Sequence, residues 1–304
     1  MNYTHIINPF NGNAEHLSVQ SITFASIKNA VNYASKISVK ICAICTKEDE
    51  KFGKEFVSST VILDKTISDY NPTLKGRELP TINDILMKGV EGANADYVIY
   101  SNIDIGLQEN FYVVIDQMVN EGYDSFAINR RRVSDKYKSP NQLYEIYSDV
   151  GELHTGYDCF VMKKSLVKDF VLGNCCVGIP FVDSVLLFNM IAFSEKFKLF
   201  TEKHLTFHIG YDLVKEWGGK KFIQHNKKEY LSSLKQIKNK LELKNIPGSG
   251  YPFFKRHIKW LMNPTIHYPT VFSLDFKATK NRYNQSSILR KGYLEKLQKI
   301  IKLD

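Results

Sequence analysis

Four short stretches of the sequence carry side chains able to do chemistry. In Asp96-Tyr-Val-Ile-Tyr-Ser-Asn102-Ile-Asp104, an apolar run ends in Asn102 and Asp104, spaced i and i+2. On an extended segment that spacing puts both side chains on one face. A carboxylate and an amide oxygen there suit a hard divalent cation such as Mg2+ or Mn2+. In His208-Ile-Gly210, His208 ends a second apolar run, where a neutral imidazole is a candidate further ligand. Gly210 would let the backbone approach a phosphate closely. In Gly178-Ile-Pro-Phe-Val-Asp183, an acidic residue opens an apolar helix, a place where the helix dipole stabilises it and where it can equally serve as a cap. In His154-Thr-Gly156-Tyr-Asp158, a polar cluster runs straight into an apolar strand. Asp158 is either a local turn cap or a two-oxygen acceptor.

These groups need a scaffold, and the periodicity supplies one. Strands are expected over Tyr3–Asn8, Val39–Cys45, Phe56–Leu63, Tyr97–Asn102, Ser125–Asn129, Cys159–Met162 and Leu205–Ile209. Helices are expected over Ser18–Ser35, from Pro80 to about Gly89, and over Phe111–Val119 and Phe181–Ala192. Strands alternating with helices predict an α/β fold with a Rossmann-like, mostly parallel sheet flanked by helices. Ligands in such sheets gather at the carboxyl ends of the strands, where Asn102 and Asp104 fall. Lys75 and Arg77 precede the Pro80 helix, from which either cation could reach a diphosphate. Arg130-Arg-Arg132 is expected as a loop after the fifth strand, either solvated or facing an anion.

The segment Asn102-Ile-Asp104 resembles the Asp-x-Asp motif of GT-A glycosyltransferases, with Asn in the first position. His208-Ile-Gly210 followed by Trp217 is similar to the segment that closes the active site of glycogenin-like transferases. The resemblance covers about residues 1 to 225. It implies a glycosyltransferase that moves a sugar from a nucleoside diphosphate sugar, a UDP sugar first, to a hydroxyl of a glycan or lipid-linked glycan in bacterial surface polysaccharide assembly. It further implies an Mn2+ or Mg2+ ion held by Asp104 and His208 with help from Asn102. Asp183 falls where inverting members keep their general base, although Val182 stands where Glu usually does; a retaining enzyme would need no such base. His154, Gly156, Asp158 and Trp217 would line the sugar sites, and Asn8 and Phe10 would meet the nucleotide base. A nucleotidyltransferase builds a similar sheet, but Asn8 to Asn13 contains one Gly and no Lys or Arg, against the Gly-rich basic loop expected there. An inactive scaffold, or a membrane-binding or nucleic-acid-binding module, are the other readings.

The chain has 304 residues and a net charge of +9. From Asn226 to Asp304 there are 17 Lys and Arg against 5 Asp and Glu, a net of +12, and the other 225 residues carry 24 against 27, a net of −3. We therefore expect a catalytic domain over 1–225 and a basic, mainly helical region over 226–304, broken at Pro247-Gly-Ser-Gly-Tyr-Pro252. Helical segments there are expected over Lys227–Leu243, Phe253–Met262 and Ser286–Leu303. Aromatic and basic residues interleave between Tyr251 and Trp260, which suits either packing on the body or peripheral contact with an anionic membrane face. Nucleic acid is disfavoured, since no recognised motif accompanies the charge. The start of the chain lacks a signal-peptide pattern and no run reaches the ~18 apolar residues of a span, so a cytoplasmic protein is expected. Cys42 and Cys45 lie within a strand and read as buried thiols rather than a redox or zinc pair.

Overall fold

The computed structural model describes residues 1–57, 59–210 and 219–280. Nine strands form one sheet: β1 (Asn2–Ile7), β2 (Ser38–Cys45), β3 (Thr60–Ile62), β4 (Tyr97–Ser101), β5 (Ile105–Leu107), β6 (Ser125–Val133), β7 (Glu152–Lys163), β8 (Phe197–Phe200) and β9 (Thr206–Ile209). The helices are α1 (Ala14–Tyr33), α2 (Glu50–Phe56), α3 (Ile67–Tyr70), α4 (Ile82–Glu91), α5 (Phe111–Asn120), α6 (Leu143–Ser148), α7 (Lys164–Val167), α8 (Val182–Phe193), α9 (Gly219–Ile237) and α10 (Phe253–Met262). The strand order is β3-β2-β1-β4-β7-β6-β9-β5, with β8 also paired to β6. The first four strands run parallel, as expected of a Rossmann-like half. β7 then enters antiparallel between β4 and β6. The sheet as a whole is mostly parallel and flanked by helices.

Local chemistry explains most boundaries. α1 begins four residues ahead of the expected start because the Asn13 side chain caps it, accepting from the His16 N–H at 2.9 Å. α4 starts at Ile82, not Pro80, because the Thr81 hydroxyl accepts from the Asp84 N–H at 3.1 Å. The strand expected over Phe56–Leu63 is shorter. Phe52 and Phe56 lie one helical turn apart in α2, and Phe56 stacks on Phe24 of α1 at 3.9 Å, so only Thr60–Ile62 joins the sheet. β6 and β7 are longer than expected. Arg130–Arg132 is strand rather than loop, and the polar cluster from His154 to Asp158 is strand rather than turn. Their charged and polar side chains hide the strand period. The main core lies under α1 and α5, where Ile7, Ile99, Phe111, Ile115 and Phe126 are fully buried.

The chain divides into two compact units, Met1–Asn239 and Lys240–Asp304. The continuous helix α9 crosses residue 225, and Tyr230, Leu234 and Ile237 on it are buried. In the second unit, Arg256 of α10 grips Asp275 through Nε and a second guanidinium nitrogen at 2.7 and 2.8 Å, and His257 Nε2 sits 2.8 Å from the same carboxylate. This joins α10 to the helical run over 268–280. The expected segment Ser286–Leu303 lies outside the described residues.

His5 on β1 is buried between the Tyr112 and Ser101 hydroxyls, each 2.8 Å from a ring nitrogen. Burial pulls its imidazole down to about 3. The folded state therefore keeps His5 neutral while the unfolded chain takes a proton below about pH 6.5. Stability should fall as the pH drops through that window, by about 1.4 kcal/mol per unit from this group. His5→Gln, which keeps a donor and an acceptor but does not titrate, should show a correspondingly shallower loss in urea unfolding between pH 6 and 4.

Candidate functional site

Five of the sequence-predicted residues converge at the carboxyl end of β4. The Asn102 N–H donates to the Asp158 carbonyl at 3.1 Å, which continues the β4–β7 ladder by one residue. A turn closed by the Ile105 N–H on the Asn102 carbonyl then reverses the chain into β5. In β5, Ile105 lies opposite His208 of β9. Asp104, one residue earlier, is thereby carried beside that imidazole, with Oδ2 3.2 Å from His208 Nε2. Asp183 arrives from the first turn of α8.

The Asn102 amide joins the group. Its N–H2 reaches Asp158 Oδ1 at 3.2 Å and Asp183 Oδ1 at 3.4 Å, while its oxygen accepts from the Tyr100 hydroxyl at 3.3 Å. In this orientation the amide oxygen is taken by Tyr100. Only the N–H2 end can donate to two carboxylates, so the oxygen is turned away and the residue works as a bridge. Arg130 supplies the counter-charge, 2.7 Å from Asp158 Oδ1. The β6–β7 register shifts on both sides of Asn129, so Arg130 falls in a bulge that re-aims its side chain. Asp158 Oδ2 is buried and has no hydrogen-bond partner. Gly156 lies beside it: a Cβ there would come within 3.5 Å of Oδ2 and 2.8 Å of the His154 ring.

Three neighbouring carboxylates perturb one another. Burial raises Asp183 well above the usual carboxylate range, and the Asp158 charge adds to the shift against the Asn102 bond and Arg130. Burial also raises Asp158, with Arg130 acting against it. At Asp104 burial acts upward too, but the bond and charge of His208 prevail and hold it low. His208 is raised, because the Asp104 carboxylate outweighs burial. Burial, with Arg130 and Arg132, pulls His154 down to about 4. Asp104 is the open member, with its side chain 45% exposed.

Whether these residues fit a metal can be judged from His208. Its Nδ1 faces the Gly210 carbonyl at 3.4 Å, which leaves Nε2 toward Asp104. A histidine whose other nitrogen is held by a carbonyl is the usual arrangement of a metal ligand. Cis ligands of an octahedral ion at about 2.1 Å stand about 3 Å apart, near the observed pair separation. The described residues contain no group of three His, Cys, Asp or Glu able to hold a metal. An ion at this pair would have to take its remaining ligands from elsewhere.

The loop before α8 is held from within. Asn226 of α9 accepts from the Cys176 N–H at 2.8 Å and donates to the carbonyls of Cys176, Ile179 and Pro180 at 2.9, 3.2 and 3.1 Å. Phe181 then takes φ +80°, a left-handed conformation costly for a bulky residue. Its ring stacks on Tyr230 at 5.6 Å. This turn aims Asp183 inward.

Other expected residues lie apart from the cluster or are otherwise engaged. Asn8 donates to the Ile44 carbonyl at 2.7 Å, and Phe10 packs against the core and edge-on to His16. Lys75 and Arg77 are exposed on the loop before α4. Arg77 is near enough to Cys176 to act on its thiol. Trp217 lies outside the described residues. A cavity of about 490 Å3 is lined by Leu63, Tyr70, Asp84 and Met87 among others, and by none of the clustered residues. All five cysteines are free and buried. Burial pushes the Cys45 thiol up to about 11. Sequence reasoning missed Arg130 as the partner of Asp158, and it missed Asn226. A basic residue ending an apolar strand was a weak signal for the first, and an amphipathic helix carries none for the second.

No family model and no curated protein matches the chain. Solved structures with a similar chain path include S. aureus TarS 1–349, at 9% identity and a TM-score of 0.47 over 84% of this chain and 68% of that one. The same protein in complex with UDP-GlcNAc aligns at 7% identity and 0.46, over 84% and 70%. Against full S. aureus TarS the chain spans 42% of the length. 4-Diphosphocytidyl-2C-methyl-D-erythritolsynthase from Anaerococcus prevotii DSM 20548 aligns at 12% identity and 0.40, over 76% and 98%.

Removing Arg130 while keeping Asp158 strands a buried carboxylate. Arg130→Met should cost about 3–5 kcal/mol in urea unfolding, and adding Asp158→Asn should recover most of it. Asn226→Ala removes four hydrogen bonds to the loop backbone and should cost about 2–4 kcal/mol by the same measurement.

Proposed function

We propose that the protein is a divalent-metal-dependent glycosyltransferase that moves a sugar from a nucleoside diphosphate sugar to an acceptor hydroxyl. The observation that carries this reading is the convergence, at one sheet edge, of an open Asp104–His208 pair with the Asn102-bridged carboxylates Asp158 and Asp183. Asp104 and His208 would hold Mn2+ or Mg2+. When bound, such an ion offsets the charge that builds on a leaving diphosphate. Asp158 presents its unpartnered oxygen as an acceptor for a sugar hydroxyl, while Arg130 keeps the other oxygen in place. In an inverting reaction Asp183 takes the proton from the acceptor hydroxyl as that oxygen attacks the anomeric carbon. Burial and the neighbouring Asp158 raise its affinity for a proton. Asn102 holds both carboxylates at their places, so it is a positioning residue.

The donor class is a UDP sugar first, and the acceptor a glycan hydroxyl in surface polysaccharide assembly. The stretch after β1 argues against nucleotidyl transfer, since Asn8 and Phe10 are spent on packing and no cation stands among residues 8 to 13.

A thermal-shift series with UDP, GDP, CMP and dTDP sugars, with and without Mn2+, tests this. One nucleotide class should stabilise the protein in the presence of metal, by about 2.7 kcal/mol at a hundredfold excess over its dissociation constant. Asp104→Ala should abolish that shift. Asp183→Asn should keep it and lower transfer about 10²–10⁴-fold. Absence of any shift in folded wild-type protein would overturn the reading.

A further inference from the structure

Among its described residues, the second unit carries an exposed apolar face. Helix α10 turns one residue fully inward: Trp260 is 1% exposed, and its indole N–H donates to the Pro247 carbonyl at 2.7 Å. The opposite side bears Phe254, Ile258, Leu261 and Met262, between 62% and 80% exposed. Their spacing is i, i+4, i+7 and i+8, so they form one stripe along the helix. The adjoining helical run extends the face. Phe272 stands 5.8 Å from His257 of α10, Phe276 lies 6.5 Å beyond it, and both are exposed.

The charges beside the stripe point one way. Lys255 and Lys259 follow it on the same edge of the helix, and their ammonium groups lie over the Tyr251 ring at 4.7 and 4.5 Å. Asp275 is the only carboxylate between Tyr251 and Lys280. Arg256 and His257 engage it, so it does not neutralise the lysines. Arg256 is therefore spent on internal bracing, while Lys255 and Lys259 are left at the edge of the apolar stripe.

We propose that this face binds an anionic lipid bilayer, with Phe254, Ile258, Leu261 and Met262 in the headgroup and acyl boundary and Lys255 and Lys259 at the phosphates. An amphipathic helix with an apolar stripe and flanking lysines has the form of an interfacial anchor. No helix among the described residues is long and apolar enough to cross a membrane, so the contact is with a surface. A second copy of the chain is a poorer occupant. A two-fold contact through this face would bring the same lysines together, with no carboxylate on the helix to answer them. The proposal is independent of the transfer chemistry.

Co-sedimentation of the full chain with vesicles of phosphatidylcholine alone, or mixed equally with phosphatidylglycerol, tests it. Binding is expected to the mixed vesicles and to weaken as salt rises from about 0.1 M to about 1 M, where the Debye length shrinks from about 10 Å to about 3 Å. The triple variant Phe254→Ser, Ile258→Ser, Leu261→Ser should lose about tenfold or more in vesicle affinity, as should Lys255→Glu with Lys259→Glu. These residues are exposed, so both variants should keep the melting temperature and any donor-induced shift of the parent. Phe254→Trp should shift its emission to the blue on adding mixed vesicles. Equal binding to both vesicle types, no binding by folded protein, or a serine variant that binds like the parent would overturn the proposal. So would light scattering that shows a dimer lost in the serine variant with vesicle binding intact.

Discussion

The arrangement of the site follows from one electrostatic problem, the gathering of buried Asp158 and half-buried Asp183 beside the more open Asp104. Like charges a few ångströms apart in such a setting resist ionising together. Arg130 answers one of them directly, and His208 answers another if it carries a proton. The third, Asp183, is left with a neutral amide as its nearest partner and is raised furthest. A cation bound at the open Asp104–His208 pair would relieve the imbalance.

Meeting that problem shapes the backbone around it. A regular β6 would keep Arg130 in the ladder, and the bulge frees it to turn toward Asp158. A helix entering without the left-handed Phe181 would not follow the same path into the site. The strain is held by bonds that are costly to break: Asn226 ties the preceding loop, and Asn189 ties α8 to Val171 and Ser233. Both asparagines are fully buried with their amides satisfied. Buried amides of this kind select one loop conformation where apolar contacts would tolerate several.

The second unit uses its charge differently. Its one described carboxylate near α10 is enclosed by Arg256 and His257, a compact ion group with Asp275 1% exposed. The stem of α10 is therefore braced from inside by Arg256 and His257. The excess of lysine in this region has a spatial meaning that a net charge does not convey.

Much of this was legible in the chain itself. The strands β1, β2, β4 and β9, the helices α5 and α8, and the placing of Asn102, Asp104, Asp183 and His208 at element ends follow from local periodicity and caps, which depend on residues a few positions apart. The spacing of Asn102 and Asp104 placed both just beyond the end of one apolar strand, where the structure also has them. What only the folded chain decided depends on groups remote in sequence. The Asn102 amide turned because two carboxylates, 56 and 81 residues away, claimed its N–H2. Arg130 left the expected loop because it found Asp158, and Asn226 reached across about 50 residues to a loop with no complementary pattern. Charge compensation and buried hydrogen bonding are set by distances in space and by the exclusion of water. Neither leaves a period in the sequence, so tertiary structure alone could assign those partners.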